Sequence, residues 1–323
     1  MKVSELLRIR RQQWRELENL CNLVESQGKK NLSPTSVSRF ASLYRAACAD
    51  LALADENRLP QGTIDYLHQL VGRAHNQLYR CRRFDVQRWR QTMFVDVPQR
   101  VFNDGCVQLA FVLFWGAFLL SAALASSETL WPNFAENVLS EEQIEMMEES
   151  FSEPLSGRPG EVNAIMASFY IYHNTGIGLK CFASGLLVIP GVIITLFNAV
   201  ALGASFGYMA RPDCPQTDNF FEFVTAHGPY ELTAIVLSAG AGLRLGLAWM
   251  KTNGLTRSAS LTKTAKEAMP LMGAAMVLFF LAALIEGFVS PSPAPYWFKA
   301  SIAVLSSGSL MFYFVILGYP RET

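Results

Sequence analysis

Hydrophobic and polar positions change rhythm along this 323-residue chain. In the first 82 residues, apolar side chains recur at helical spacing among charges. Leu6, Leu7, Ile9, Trp14, Leu17, Leu20 and Leu23 mark one helix. Ser33 and Pro34 supply an N-cap and first-turn pair for a second, running through Leu43, Tyr44, Leu51 and Leu53. Pro60 opens a third, through Ile64, Leu67, Leu70, Val71 and Leu78. Over residues 83–105 the pattern becomes mixed. Arg83, Arg88, Arg90 and Arg100, with Arg82 just before them, alternate with Phe84, Trp89, Met93, Phe94, Val97 and Phe102. Large apolar and basic residues in that mixture predict a helix lying on a membrane surface, broken at Pro98.

Long uncharged runs follow. Residues 107–126 hold no charge over 20 positions, enough to cross ~30 Å of hydrocarbon. Residues 127–162 are polar and acidic. Residues 163–209 form one apolar stretch, and 230–250, 269–289 and 298–318 complete the set. The stretch 163–209 is too long for one crossing and barely long enough for two.

Composition agrees with a membrane protein: 51% of residues are hydrophobic, 17% are charged, and mean hydropathy is +0.21. The net charge of zero conceals a strong asymmetry. Residues 1–106 carry 17 Lys/Arg against 11 Asp/Glu, whereas residues 127–162 carry nine Glu against one Arg. The positive-inside rule therefore places the N-terminus in the cytoplasm and the Glu-rich loop outside. The loop 251–268, with Lys251, Arg257, Lys263 and Lys266, belongs inside, which requires 163–209 to cross twice, turning near Lys180 and Cys181. The expected fold is all-α: a polytopic bundle of six transmembrane helices with both termini cytoplasmic. Residues 1–106 form a basic helical region with an interfacial helix, and 107–323 form the membrane domain. The alternative has five crossings, with 163–180 interfacial or re-entrant.

Several function classes are excluded. The charged start MKVSELLRIRRQQWRELE is not a signal peptide. Cys21, Cys48, Cys81, Cys106, Cys181 and Cys214 show neither CxxC nor Cys/His spacing, so neither a disulfide framework nor a structural zinc site is expected. There is no Walker A, GxSxG, HExxH or Rossmann sequence, and the reading favours a non-enzyme without a cofactor. No nucleic-acid motif is visible. The basic surface of the N-terminal region reads as a solvated face or as a contact for anionic lipid headgroups.

The candidate chemistry lies in AHGPYELTAIVLSAGAGLRLG, residues 226–246. His227 and Glu231 stand one helical turn apart, on the face that carries Ala234, Ser238 and Ala241. In the six-span arrangement both lie at the outer end of the fourth span, level with Glu286 near the end of the fifth. Pro229 is acceptable in a first helical turn. A carboxylate at membrane depth costs at least ~2.5 kcal/mol, which makes these residues a functional hypothesis. Three readings compete: a polar clamp that fixes helix packing, a metal site with His227, Glu231 and Glu286 as ligands, and a relay or substrate site extended by Asn174, His173 and Asn198. Gly203 and Gly207, and Gly242 and Gly246, form small-xxx-small pairs that let helices approach closely. Such faces allow a homodimer and equally serve packing within one chain. Arg244 is expected to snorkel to the cytoplasmic surface. Cys214 is expected to have no cysteine partner in its external loop.

Three stretches resemble the stage II sporulation protein M family of bacterial membrane proteins: YIYHNTGIGLKCFASGLLVIPGVIITLFNAVALG (170–203), HGPYELTAIVLSAGAGLRLG (227–246) and AALIEGFVSP (282–291). By that resemblance Asn174, Asn198, His227, Gly228, Glu231, Gly242, Gly246, Glu286 and Gly287 fall on motif positions. The chain has Ala199 where the family usually has Gly after Asn. The N-terminal region is similar to that of the longer, non-sporulation branch. The resemblance implies an inner-membrane protein that acts as anchor or scaffold in a cell-envelope complex. In spore formers the partners degrade peptidoglycan, whereas the longer branch tends to be encoded beside a MoxR-type ATPase and other membrane proteins, which implies membership of an assembly. The alternatives are a small transporter or lipid-handling protein using the His/Glu cluster, and a membrane-embedded metal hydrolase.

Overall fold

In the computed structural model, which describes residues 3–27, 33–57, 59–78, 86–127 and 129–320, every regular element is helical. The chain divides into two compact units, residues 1–85 and 86–323. The division falls at 85/86 and not at 106/107, because Val97 and Val101 are buried in the core of the second unit.

The first unit comprises α1 (Val3–Gln27), α2 (Pro34–Glu56) and α3 (Gln61–Leu78). Ser33 caps α2, its Oγ accepting from the Ser36 amide at 3.1 Å, and Pro34 follows in the first turn. Trp14, Leu17, Cys21, Phe40, Leu43, Leu67 and Leu70 form the core. The buried Asp50 accepts from Trp14 Nε1 at 2.9 Å and faces Arg10 at 3.3 Å. Surface arginines are tied to acids, Arg39 to Glu16 at 2.6 Å and Arg73 to Glu25 at 3.0 Å. That pairing suits a solvated face. Cys81, Arg82, Arg83 and Phe84 lie outside the described residues.

The second unit opens with α4 (Val86–Gln91), a π-helical turn (Thr92–Asp96) and α5 (Val97–Asn103). Pro98 does not break this segment. The wide turn before it, closed by the Val97 amide on Thr92 O, accommodates the missing N–H, and Pro98 sits in the first turn of α5. Trp89 and Phe94 are exposed here, while Val97 and Val101 turn inward.

Next come α6 (Gly105–Ala125), the short α7 (Phe134–Val138) and α8 (Glu141–Ser150), α9 (Gly160–Gly185), α10 (Ile189–Met209), the short α11 (Thr217–Val224), α12 (Gly228–Met250), α13 (Arg257–Leu284) and α14 (Tyr296–Met311). Among the described residues, five segments are long and apolar enough to cross a membrane: 105–125, 189–209, 228–250, 257–288 and 296–316. At 26 residues, α9 has the length too, about 39 Å at 1.5 Å per residue, but it is more polar, carrying His173 and Asn174.

Side-chain contacts fix the directions. At one end, here the near end, Asp104 at the start of α6 pairs with Arg244 of α12, and Ser260 Oγ of α13 donates to Ala248 O of α12 at 2.8 Å. At the far end, Lys299 Nζ of α14 donates to Ser290 O at 2.9 Å. Between them, Gly178 of α9 lies beside Ser238 of α12 and Phe279 of α13. Helices α6, α10 and α13 thus run from near end to far end, and α9, α12 and α14 run back. All six traverse the bundle.

The turn between α9 and α10 falls at residues 186–188 and not at Lys180 and Cys181. Cys181 is buried in the core, and the helix runs on to Gly185, where the absence of a side chain lets Gly191 and Gly242 close in. Val188, at φ 55°, completes the reversal. The acidic segment is folded, not merely solvated. Ser140 and Gln143 form a capping box at the start of α8, and Tyr208 donates to Glu148 at 2.6 Å. Arg211 joins Ala125 O at 2.8 Å to Glu136 at 2.9 Å.

Candidate functional site

The far end of α12 starts with the sequence HGPYE. Pro229 fits the first turn, where its missing N–H has no partner to lose. His227 precedes the helix but already has helical dihedrals (φ −97°, ψ −22°), so it stands above Glu231 on one face. His227 Nε2 and Glu231 Oε2 are 3.7 Å apart. Below them Ala234, Ser238 and Ala241 are fully buried, and these small residues admit the neighbouring helices. Glu286 comes from a π-helical turn, Ile285–Val289, that ends α13 above the buried Ala275, Ala282 and Ala283. One potential ligand atom from each of His227, Glu231 and Glu286 lies within 4.8 Å of the others.

Neighbouring side chains hold this trio in place. Asn174 of α9 is buried and donates to Glu286 Oε2 at 3.1 Å. Ser290 Oγ bonds His227 Nδ1 at 2.9 Å. Lys299, fully buried, donates to Ser290 O at 2.9 Å and to Glu222 at 3.4 Å. The Arg158 guanidinium lies near Tyr170 and Glu286, and its charge reaches both. The edge of Phe223 closes on the His227 ring at 5.7 Å between centroids. A polar chain therefore runs Glu222–Lys299–Ser290–His227–Glu231, continuing to Glu286 and Asn174. Two carboxylates this close in apolar surroundings do not both stay ionised without compensation. They share a proton or face a cation.

The structure brings together His227, Glu231, Glu286 and Asn174. It does not bring Asn198 to them. Asn198 Nδ2 donates to Ile194 O on its own helix at 2.8 Å and lies 3.9 Å from the Cys181 sulfur. His173 is exposed and stacks on Phe169, so it extends no polar path. Ser290, Lys299, Arg158 and Tyr170 are absent from the sequence-level candidates. Lys299 had a signal, being the single charge inside the run 298–318.

The glycine pairs lie at helix crossings. A Cβ at Gly203 would strike the Phe118 carbonyl of α6, and one at Gly207 the Ala122 carbonyl. At Gly242 it would strike the Phe182 carbonyl of α9, and at Gly246 the Gly185 carbonyl. Both pairs therefore serve packing within one chain. Arg244 does not snorkel freely. It is held between Asp104 and Glu267, the latter at 2.7 Å, because Asp104 is buried where it caps α6 through the Cys106 amide and needs a counter-charge. Cys214 Sγ donates to Gln216 Oε1 at 3.4 Å and lies 3.6 Å from the Met209 sulfur.

Glycine-tight helices around a buried histidine and two glutamates define a polytopic helical membrane protein. Its apolar segments and their pattern place it further: the chain belongs to the Stage II sporulation protein M family, whose model matches residues 109–291. That range contains all the motif residues named from the sequence, and stops before α14. Residues 5–80 match a second family, described as a domain of unknown function (DUF8413). No curated protein and no solved structure matches the chain.

Proposed function

We propose that this protein is an anchor or scaffold in a cell-envelope complex. Its six helices cross the bacterial cytoplasmic membrane with the near end inside. The observation that carries this reading is the build of the bundle: glycine seams without slack, and a far end whose ionisable groups are engaged with one another. Such a body suits holding partners in fixed positions. It carries the three-helix unit in the cytoplasm and presents the folded acidic segment, α7 and α8, outside. The positive-inside rule supports that orientation, since Lys251, Arg257, Lys263 and Lys266 gather at the near end. The resemblance points to envelope proteins and a MoxR-type ATPase system as the partners.

The test is site-specific photo-crosslinking of the full-length protein in its native membranes, from the exposed positions Glu142 and Glu145 of α8. The scaffold reading expects a discrete protein adduct, and the same adduct from a Glu231→Gln variant that accumulates normally. Adducts with lipid alone would contradict it.

One observation favours a second reading, lipid handling. A cleft of about 960 Å³ lies between α6, α12 and α14, lined by Phe111, Trp115, Leu232, Val236, Leu310 and Phe314. His227, Glu231 and Glu286 do not line it, so such a role would not use the cluster. Native mass spectrometry of the purified protein checks this reading. One retained lipid, lost in Leu232→Trp, supports it, and equal lipid in both proteins opposes it.

A further inference from the structure

We infer that His227, Glu231 and Glu286 form a binding site for one divalent first-row transition-metal ion, zinc in the first instance. This ion joins α12 to the end of α13. The site goes beyond the scaffold reading and stands or falls independently of any partner.

The donor set is the first reason. One imidazole and two carboxylates are ordinary ligands for zinc, and an i, i+4 pair on a helix presents two of them on one side. The third comes from another element, so that the ligands converge instead of lying in a row. A tetrahedral ion with bonds of about 2.1 Å holds neighbouring ligand atoms about 3.4 Å apart. His227 Nε2 and Glu231 Oε2 stand at 3.7 Å, and the whole trio fits within 4.8 Å. Small rotations of two glutamate side chains close the remainder.

The second reason is how the ligands are oriented. Ser290 engages His227 Nδ1 and leaves Nε2, the atom that faces Glu231, for the ion. Asn174 engages Glu286 Oε2 and leaves Oε1 for the ion. Outer hydrogen bonds of this kind fix ligand rotamers and sharpen affinity. His227 and Glu286 are each more than nine-tenths buried, so their remaining lone pairs do not face bulk water.

Charge is the third reason. Two carboxylates and a dication sum to zero, which is the state an apolar environment favours. Of the nearby cations, Lys299 is engaged with Glu222 and Ser290 O, and Arg158 is exposed, its charge acting on Glu286 from the solvent side. The site coordinates without needing any redox or hydrolytic step.

The test uses the full-length protein in detergent, stripped with chelator, dialysed against Zn²⁺ and washed. Metal is then counted by mass spectrometry. The site predicts about one zinc per chain, with Kd raised tenfold or more in Asn174→Ala, whose ligands are intact but unsupported. His227→Ala and Glu286→Gln should retain essentially none, while His68→Ala, altering an exposed histidine of the first unit, should bind as wild type. Folding is checked independently by the melting temperature without metal. Zinc should raise that temperature in wild type and leave it unchanged in His227→Ala. Wild-type protein that retains no zinc, or His227→Ala that retains as much as wild type, overturns the proposal. The first outcome would mean that the carboxylates share a proton instead.

Discussion

Asn174 supports Glu286 from a third helix, and its own burial leaves it no substitute partner. Replacing it with Ala strands a buried carboxylate oxygen, which typically costs about 1–3 kcal/mol. Asn174→Asp should cost more, because it sets a third carboxylate beside two. Denaturant titration of the purified protein should rank wild type above Asn174→Ala and that above Asn174→Asp. A second pair of substitutions isolates packing. Gly242→Ala pushes a methyl into the Phe182 carbonyl and should destabilise by about 1–3 kcal/mol, as overpacking does. Gly176→Ala on α9 meets open space and should be neutral, or stabilise by up to ~1 kcal/mol. Equal effects of the two would deny that the glycine seams are steric. At this scale the sequence was informative where spacing or depth spoke. His227 and Glu231 were legible from their one-turn separation and Glu286 from its predicted depth. Ser290 and Arg158 were not, since a contact between distant segments leaves no period. Asn198 was misplaced because an Asn in a membrane helix signals a polar need without saying whether its own backbone meets it.

Among the elements, the three N-terminal helices and five apolar segments were readable from period and length. The end of α9 was not. A positive charge at Lys180 suggested the turn, whereas the close approach of Gly185 to Gly191 and Gly242 decides it. Proline in the mixed basic and apolar segment likewise suggested a break at Pro98, where a π-helical turn absorbs the defect. The acidic segment shows how an element can depend on one pair. Burial raises the pKa of Glu136, but the hydrogen bond and charge of Arg211 outweigh it and hold the group below the ordinary carboxylate value of 4.5. An acid whose pKa is lowered by folding stabilises the fold above its unfolded value, and loses that contribution as pH falls through the folded one. The docking of α7 and α8 should therefore be intact at neutral pH and loosen as pH falls below the ordinary carboxylate value and through the lowered one of Glu136. Hydrogen exchange, corrected for the slower intrinsic rate at low pH, should show smaller protection factors in 134–150 on acidification. Arg211→Gln should give fast exchange already at pH 7. An unchanged exchange rate in that variant would refute the pairing as the lock.

In the molecule as a whole, six helices traverse one bundle, with the His/Glu cluster at the far end. Hydropathy alone passes five of them. The sixth, α9, carries the polar groups that the cluster uses, so its lower hydropathy follows from its place in the site. Contact directions count six traverses, but the membrane itself assigns the sides, and the loop between α12 and α13 distinguishes the alternatives. A topology reporter inserted after Gly254, in the exposed loop between those helices, measures this directly. Six crossings predict that it is cytoplasmic, with a second reporter near Glu153 in the acidic segment outside. A reporter at Gly254 found outside would contradict the account, removing α9 from the set of crossings and the cluster from the outer face.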